Sequence, residues 1–244
     1  MKIEIDAISY KGMVRDNNED ALSISGYILR DDATEMTIDT PEDGSFYLLV
    51  ADGMGGHDNG EEASMYALEE VRDKINQNVI GAETFEDDIR ETVHNVSLRL
   101  NQIAAERGQQ HPMGCTLTGV VWHYGRIWLI NAGDSRTYRF RNGILRQLTT
   151  DETDFGYTGD PNASKLLLNC VGGGLEGRLT IEDIAGKLLE ADTLLICSDG
   201  LTDMVPEEQI ETALAEGAKA ADLYRMACEA GGADNTSIIL ATIS

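Results

Sequence analysis

Basic residues are scarce in this chain. Lysine and arginine number 19 against 43 aspartates and glutamates, a formal charge of −24 over 244 residues. Nucleic acids and anionic membranes are gripped through a basic footprint, so neither is an expected partner. Cysteine is sparse too: Cys115, Cys170, Cys197 and Cys228 stand far apart, with no C-x-x-C pair. That spacing offers neither a disulfide frame nor a zinc site, and reduced core thiols are expected. Four prolines leave no Pro-rich linker. No apolar stretch approaches the roughly 20 residues a membrane helix needs. Met1-Lys2-Ile3-Glu4 opens no apolar signal region, so the expectation is a cytoplasmic protein with no membrane partner. Several catalytic signatures are missing as well. There is no G-x-S-x-G elbow and no H-E-x-x-H. Residues 52–63 are not an EF-hand loop, because Met54, Gly56 and Ala63 stand where oxygen ligands are required. Residues 151–162 fail the same test at Thr153, Phe155 and Asn162. The glycines of residues 172–177 approach a phosphate loop, but Arg178 and Leu179 replace its Lys and Ser/Thr and no helix follows.

What is present is apolar and acidic in a particular order. At 244 residues with an apolar fraction of 42% the chain suits one large domain or two small ones, and it is read as one over residues 1–244. Three apolar runs end on an aspartate beside a glycine: residues 46–51 before Asp52-Gly53, 127–132 before Gly133-Asp134, and 194–198 before Asp199-Gly200. Such runs read as buried strands. An acid at the end of a buried strand must be desolvated, paired or given to a cation. Glu19-Asp20 and Asp234-Asn235 extend the set and suggest a cluster. Two carboxylates ~4 Å apart repel by roughly 4 kcal/mol at an effective dielectric near 20, so converging acids need cations between them. Carboxylates, carbonyls and waters favour hard ions, Mg²⁺ or Mn²⁺. Glycine after the aspartate lets a backbone carbonyl approach such an ion. Arg15, four residues before Glu19, is placed to help bind an anion. This combination is what metal-assisted phosphoester hydrolysis requires, and bound cations would let so acidic a site accept a phosphate.

The remaining pattern places these acids. Residues 2–10 alternate as an edge strand would, and 21–30 form another strand. The acidic stretch 31–45 is expected to be a surface loop. Ala63, Ala67, Val71, Ile75 and Val79 make one helical stripe; Phe85, Ile89, Val93, Val96, Leu100 and Ile103 make a second, with Gly81 between. Short strands follow at 115–123, 126–132, 135–140 and 144–148, turning at Tyr124-Gly125 and Asn142-Gly143. Residues 151–177 are glycine-rich and expected to be irregular. Strands at 178–184 and 193–198, a helix after Pro206, a helix over 219–230 and a strand over Thr236–Ile243 complete the chain. Strands joined by short turns, with helices in pairs, argue for an α+β sandwich with antiparallel sheets and helices outside.

Five segments now stand in order: Arg15-Asp-Asn-Asn-Glu19-Asp20-Ala21; Val50-Ala-Asp52-Gly53-Met-Gly-Gly-His57 with Gly60-Glu-Glu-Ala-Ser64; Asn131-Ala-Gly-Asp134-Ser135-Arg136; Cys197-Ser-Asp199-Gly200-Leu-Thr-Asp203; and Asp234-Asn235-Thr236. Together they resemble the metal-dependent serine/threonine protein phosphatases of the 2C type, the PPM family, in a bacterial-like form. The resemblance runs from about Ile3 to Ile243. It implies a four-layer αββα sandwich, two central antiparallel sheets flanked by antiparallel helix pairs. It implies two Mg²⁺ or Mn²⁺ ions in a core site, with a third, weaker one. Asp52 would bridge the pair and the Gly53 carbonyl would bind one ion. Asp199 and Asp234 would bind the other, with Glu19 holding its water shell and Asp20 a further acid beside it. Asp134 would help hold the third ion, Arg15 would grip the substrate phosphate, and Asn235 would support Asp234. The implied reaction is hydrolysis of phosphoserine and phosphothreonine in proteins by a metal-activated water, opposite a cognate kinase. The sequence departs from the family at Met54, where many eukaryotic relatives carry a histidine thought to protonate the leaving alcohol; His57 is the nearest candidate donor. It departs again at about 151–177, where the flap after Leu148-Thr149-Thr150-Asp151 looks shortened. Two alternatives stay open: a non-catalytic phosphoprotein-binding pseudophosphatase, and a phosphatase of a small phosphorylated metabolite. Read as local structure alone, Asp203 is a helix or turn residue, and Asp134 sits in a turn with a contact to Arg136.

Overall fold

The computed structural model describes residues 1–40, 44–55, 59–76, 81–160 and 162–244. His57 and Val79 lie outside the described residues. The chain opens with β1 (Lys2–Tyr10), β2 (Ala21–Ile24), β3 (Tyr27–Leu29), β4 (Asp32–Asp39), β5 (Ser45–Ala51) and the two-residue β6 (Gly53–Met54). Helices α1 (Asn59–Asn76) and α2 (Phe85–Glu106) follow. Then come β7 (Gly114–Cys115), β8 (Leu117–His123), β9 (Arg126–Ala132), β10 (Arg136–Arg141), β11 (Ile144–Gln147), α3 (Asp154–Thr158), β12 (Val171–Gly172), β13 (Thr180–Asp183) and β14 (Thr193–Cys197). The last elements are α4 (Asp199–Thr202), α5 (Glu207–Ala215), α6 (Ala220–Glu229) and β15 (Thr236–Ile243).

Two six-stranded sheets form, one ordered β11-β10-β14-β15-β1-β4 and the other β13-β9-β8-β5-β2-β3, with a small β12-β7-β6 ladder beside them. Neighbouring strands run antiparallel, as in β1 with β15 and β5 with β8. The period of two explains the stacking. On β5, Phe46, Leu48 and Val50 enter the core between the sheets, while Tyr47, Leu49 and Ala51 enter the core under α1 and α2. On β15, Ile239, Ala241 and Ile243 face the other sheet, while Ile238 and Leu240 pack under α4, α5 and α6. Strands buried on both faces read as continuous apolar runs, which is why the sequence shows them so plainly. The result is a four-layer αββα sandwich with three apolar interlayers.

The two turns marked in the sequence are hairpins of the primed kind. Tyr124-Gly125 has φ of 45° and 78°, Asn142-Gly143 has 52° and 78°, and positive φ at both central residues matches strand twist. Three expectations change. β1 is not an edge strand; it lies between β15 and β4. The edge is β4, formed from the acidic stretch expected to be a loop. Its Glu35, Thr37 and Asp39 face out while Met36 and Ile38 pack against the inter-sheet core, an alternation masked by charge. Segment 151–177 is not wholly irregular, since it contains α3 and β12.

Candidate metal centre

Both sheets end at one cleft of about 640 Å³. Asp52 leaves β5 there. Its N–H donates to Thr116 Oγ1 at 3.0 Å and its carbonyl accepts from Thr116 N at 2.8 Å, so the backbone is locked on both sides. Thr116 Oγ1 also bonds Ser135 Oγ at 2.7 Å, tying Asp52 to the turn that carries Asp134. From the other sheet, Asp199 opens α4 directly after β14, and Asp234 precedes β15. β14 and β15 pair Cys197 with Ile238, which brings Asp199 and Asp234 to the same end. Asp234 Oδ1 accepts from the Asn235 N–H at 2.9 Å, and Oδ2 accepts from Arg15 Nη2 at 2.7 Å.

The loop before β2 is held by Asn235. Its Oδ1 accepts from Glu19 N at 2.8 Å, and its Nδ2 donates to Asn17 O at 2.8 Å and Lys11 O at 3.1 Å. Glycine is needed where Glu19 meets the start of α1. A Cβ on Gly60 would stand 2.5 Å from Glu19 Oε2, and one on Gly53 would overlap the Gly60 carbonyl. Arg15, Glu19, Asp52, Gly53, Asp134, Asp199, Asp234 and Asn235 thus line one cleft. Asp20 does not line it. It lies fully buried behind, with Oδ2 accepting from Ser198 Oγ at 2.6 Å and Oδ1 unpartnered.

The acids crowd one another. Burial, then the charges of Asp20, Asp199, Asp234 and Asp134, hold the Asp52 carboxyl well above its ordinary range. Asp199 shares a hydrogen bond with Asp52; burial and Asp234 push it up to about 6. Burial and Asp199 push Asp134 up to about 7, and burial lifts Asp20 to about 7 against the Ser198 hydrogen bond. Asp203 is the C-cap of α4, with its N–H on Asp199 O at 2.7 Å; its charge acts on Asp199 and Asp134, and its side chain pairs with Lys165 at 3.2 Å. The Asp134–Arg136 contact of the local-structure reading does not form. Arg136 forks onto Asp151 instead, at 2.9 Å through Nε and 2.6 Å through Nη2.

Residues of this kind fit hard divalent cations. The buried, mutually repelling carboxylates and the unpartnered Asp20 oxygen all call for positive charge. Among the described residues, no three His, Cys, Asp or Glu side chains form a ready-made cage. Sequence reasoning missed Thr116, Val14 and Leu167, which also line the cleft. It missed the buried chain behind it as well: Ser198 Oγ receives Ser237 N at 3.0 Å, and Ser237 Oγ donates to Ser9 Oγ at 2.8 Å. Serines at the ends of otherwise apolar strands were the available signal.

An open carboxylate centre at the common end of two stacked antiparallel sheets defines a class: an α+β sandwich built to hold hard cations. The family model described as Protein phosphatase 2C matches residues 23–230, and the chain belongs to that family. It is 31% identical over 247 residues to the serine/threonine phosphatase stp of Listeria monocytogenes, spanning 94% of this chain and 92% of that protein. It is 26% identical to the solved structure of the serine/threonine phosphatase Stp1 from Staphylococcus aureus, with a TM-score of 0.78 over 99% of this chain and 95% of that one. The catalytic domain of the serine/threonine protein phosphatase PstP, solved with two manganese ions, is 27% identical with a TM-score of 0.70, covering 99% of this chain and 100% of that one.

Proposed function

We propose that this chain hydrolyses phosphoserine and phosphothreonine in proteins with Mg²⁺ or Mn²⁺, acting as one catalytic domain over residues 1–244. One observation carries the reading: Asp16, Glu19, Asp52, Asp134, Asp199 and Asp234 line a cleft whose one cation among the described lining residues is Arg15. Such a cleft repels a phosphate unless cations occupy it. Asp52, the Gly53 carbonyl, Asp199 and Asp234 would hold two ions, with Glu19 at their water shell and Asp134 toward a third. Bound there, the ions supply activation of water and neutralisation of phosphate charge.

The chain's own residues do the rest. Arg15, half exposed and anchored on Asp234, presents its guanidinium fork at the cleft edge, where it binds phosphate oxygens. Thr116 fixes the direction of Asp52. Asn235 fixes Glu19 and Asp234 with respect to each other. Asp20 and Ser198 orient α4 and with it Asp199. His57 is the candidate proton donor to the leaving alcohol. The substrates would be phosphoproteins of a cytoplasmic serine/threonine kinase pathway. Among the described residues, no helix is long and apolar enough to cross a membrane. The flap at about 151–177 would select among them.

The test is manganese-dependent hydrolysis of para-nitrophenyl phosphate and of phosphothreonine peptides. Turnover should vanish with chelator and in Asp52→Ala and Asp199→Ala. An unmutated protein that binds manganese yet turns over neither substrate would instead be a phosphoprotein-binding module. Sugar phosphates preferred over phosphopeptides would make it a metabolite phosphatase.

A further inference from the structure

Glu152 has no part in the centre as described, yet it is only 6% exposed. Its carboxylate takes hydrogen bonds from three separate segments. Oε2 accepts from Gly133 N at 2.9 Å and from the Asn169 carboxamide, and Oε1 accepts from the Thr180 hydroxyl at 3.0 Å. The main chain adds two more: Glu152 N donates to Gly133 O at 3.1 Å, and Leu168 N donates to Glu152 O at 2.8 Å. Asn169 is itself fixed, with Nδ2 on Arg178 O at 2.6 Å and Oδ1 accepting from Arg178 N at 3.0 Å. All three side-chain and amide donors to the carboxylate are neutral. Closing a loop needs no buried charge, whereas a carboxylate can gather donors from three directions at once.

The places it joins matter. Gly133 immediately precedes Asp134 and has φ of +111°; a Cβ there would stand 2.7 Å from the Thr116 side chain. The turn therefore requires glycine at this position, and Glu152 bonds both its N–H and its carbonyl. The segment between Glu152 and Thr180 carries Leu167, which lines the cleft, and Lys165, which pairs with Asp203. One carboxylate thus connects the turn presenting Asp134 to both ends of the segment overhanging the cleft.

We propose that Glu152 is a positioning residue that sets Asp134 in the cleft and locks the flap to it, so that the two are placed together. The kinetic arm of the test rests on the phosphatase reading; the exchange arm does not.

The experiment uses the manganese-loaded full chain. Glu152→Ala removes both carboxylate acceptors and leaves the main-chain bonds to Gly133 and Leu168 in place. Glu152→Gln keeps the side-chain bonds, because its oxygen serves Gly133 and Asn169 while its amide donates to the Thr180 hydroxyl, which can accept. In Glu152→Ala, amide hydrogens of residues 131–135 and 166–170 should exchange roughly tenfold faster or more. Those of β14 and β15 should stay as in the parent, and Glu152→Gln should restore the parental rates. On a phosphothreonine peptide, kcat/KM should fall about 10–100-fold in Glu152→Ala and recover in Glu152→Gln. Adding Asp134→Asn to Glu152→Ala should cost no more than the worse single change, the mark of residues acting through one another. Losses that multiply, or parental exchange in both segments, overturn the proposal. Should Glu152→Ala fail to fold, Asn169→Ala must speed exchange at the same two segments, and parental rates there overturn it. A parent with no turnover would sink the phosphatase reading and leave exchange to decide alone.

Discussion

Replacing Asp20 with asparagine should stabilise the metal-free protein at neutral pH and weaken its hold on manganese. Burial lifts the Asp20 carboxyl from 3.8 to about 7, whereas in an unfolded chain it ionises near its ordinary value. Between those two values the folded chain keeps a proton that the unfolded chain has released, so stability falls as pH rises. Three units at about 1.36 kcal/mol each amount to on the order of 4 kcal/mol, lost between about pH 4 and pH 7 and constant above. The substituted asparagine carries no charge at any pH, and its Oδ1 can still accept from Ser198. Its amide then sits where the Asp20 Oδ1 is unpartnered, which returns about 1–3 kcal/mol of cost. The net gain near pH 8 is therefore roughly 1–3 kcal/mol. Urea unfolding in chelator, from about pH 5 to pH 8, measures it as a difference between parent and variant. The other acids are common to both proteins, and the loss of the Asp20 charge, which also relieves Asp52, adds to the variant's gain. Saturating manganese, which binds only the folded chain, should flatten the parent's decline. Its affinity for the Asp20→Asn variant should fall about 10–100-fold. Parallel slopes for the two metal-free proteins, or stability rising through this range, would refute the electrostatic reasoning.

Three further outcomes are expected. Arg15→Ala breaks an exposed ion pair and should change unfolding free energy by less than about 1 kcal/mol, while kcat/KM for a phosphothreonine peptide drops at least about tenfold. Gly200→Ala puts a Cβ into the Asn235 carbonyl, so it should cost about 1–3 kcal/mol and weaken manganese binding in calorimetry, because it pushes the Asp199 helix off the Asp234 turn. Phe85→Ala, which empties a fully buried site stacked 5.4 Å from Trp128, should cost about 3–5 kcal/mol in urea unfolding and leave manganese affinity unchanged.

Most of the fold was legible because its strands are buried on both faces and its turns carry Gly at positive φ. β15 falls on the residues the sequence marks, Thr236–Ile243, and α2 runs from Phe85 as its stripe indicates. β4 was hidden because its outward positions are Glu35, Thr37 and Asp39, and charge density outweighed alternation. β1 was then placed at an edge for want of its neighbour. In the centre, the acids were visible because an acid beside glycine at a strand end is a poor choice for stability alone. The parts that hold them were not. Asn235 satisfies three backbone groups from residues more than 200 positions away, and no local pattern encodes such reach. Thr116 and Glu152 act through contacts equally hidden from any local pattern. Asp20 and Glu19 are adjacent in the chain, yet Glu19 faces the cleft and Asp20 the buried serines, a division that only the strand register decides.

The position of β15 has a consequence for how the enzyme comes into being. That strand sits in the middle of its sheet, between β14 and β1, and Asp234 shortly precedes it. A ribosome delivers both only after Glu19, Asp52, Asp134 and Asp199 have emerged. Until then the nascent chain has a gap at its centre and an acidic bowl with one wall missing. A chain cut before Thr236 would therefore lack the strand that joins β14 to β1 and steadies the Asp234 turn.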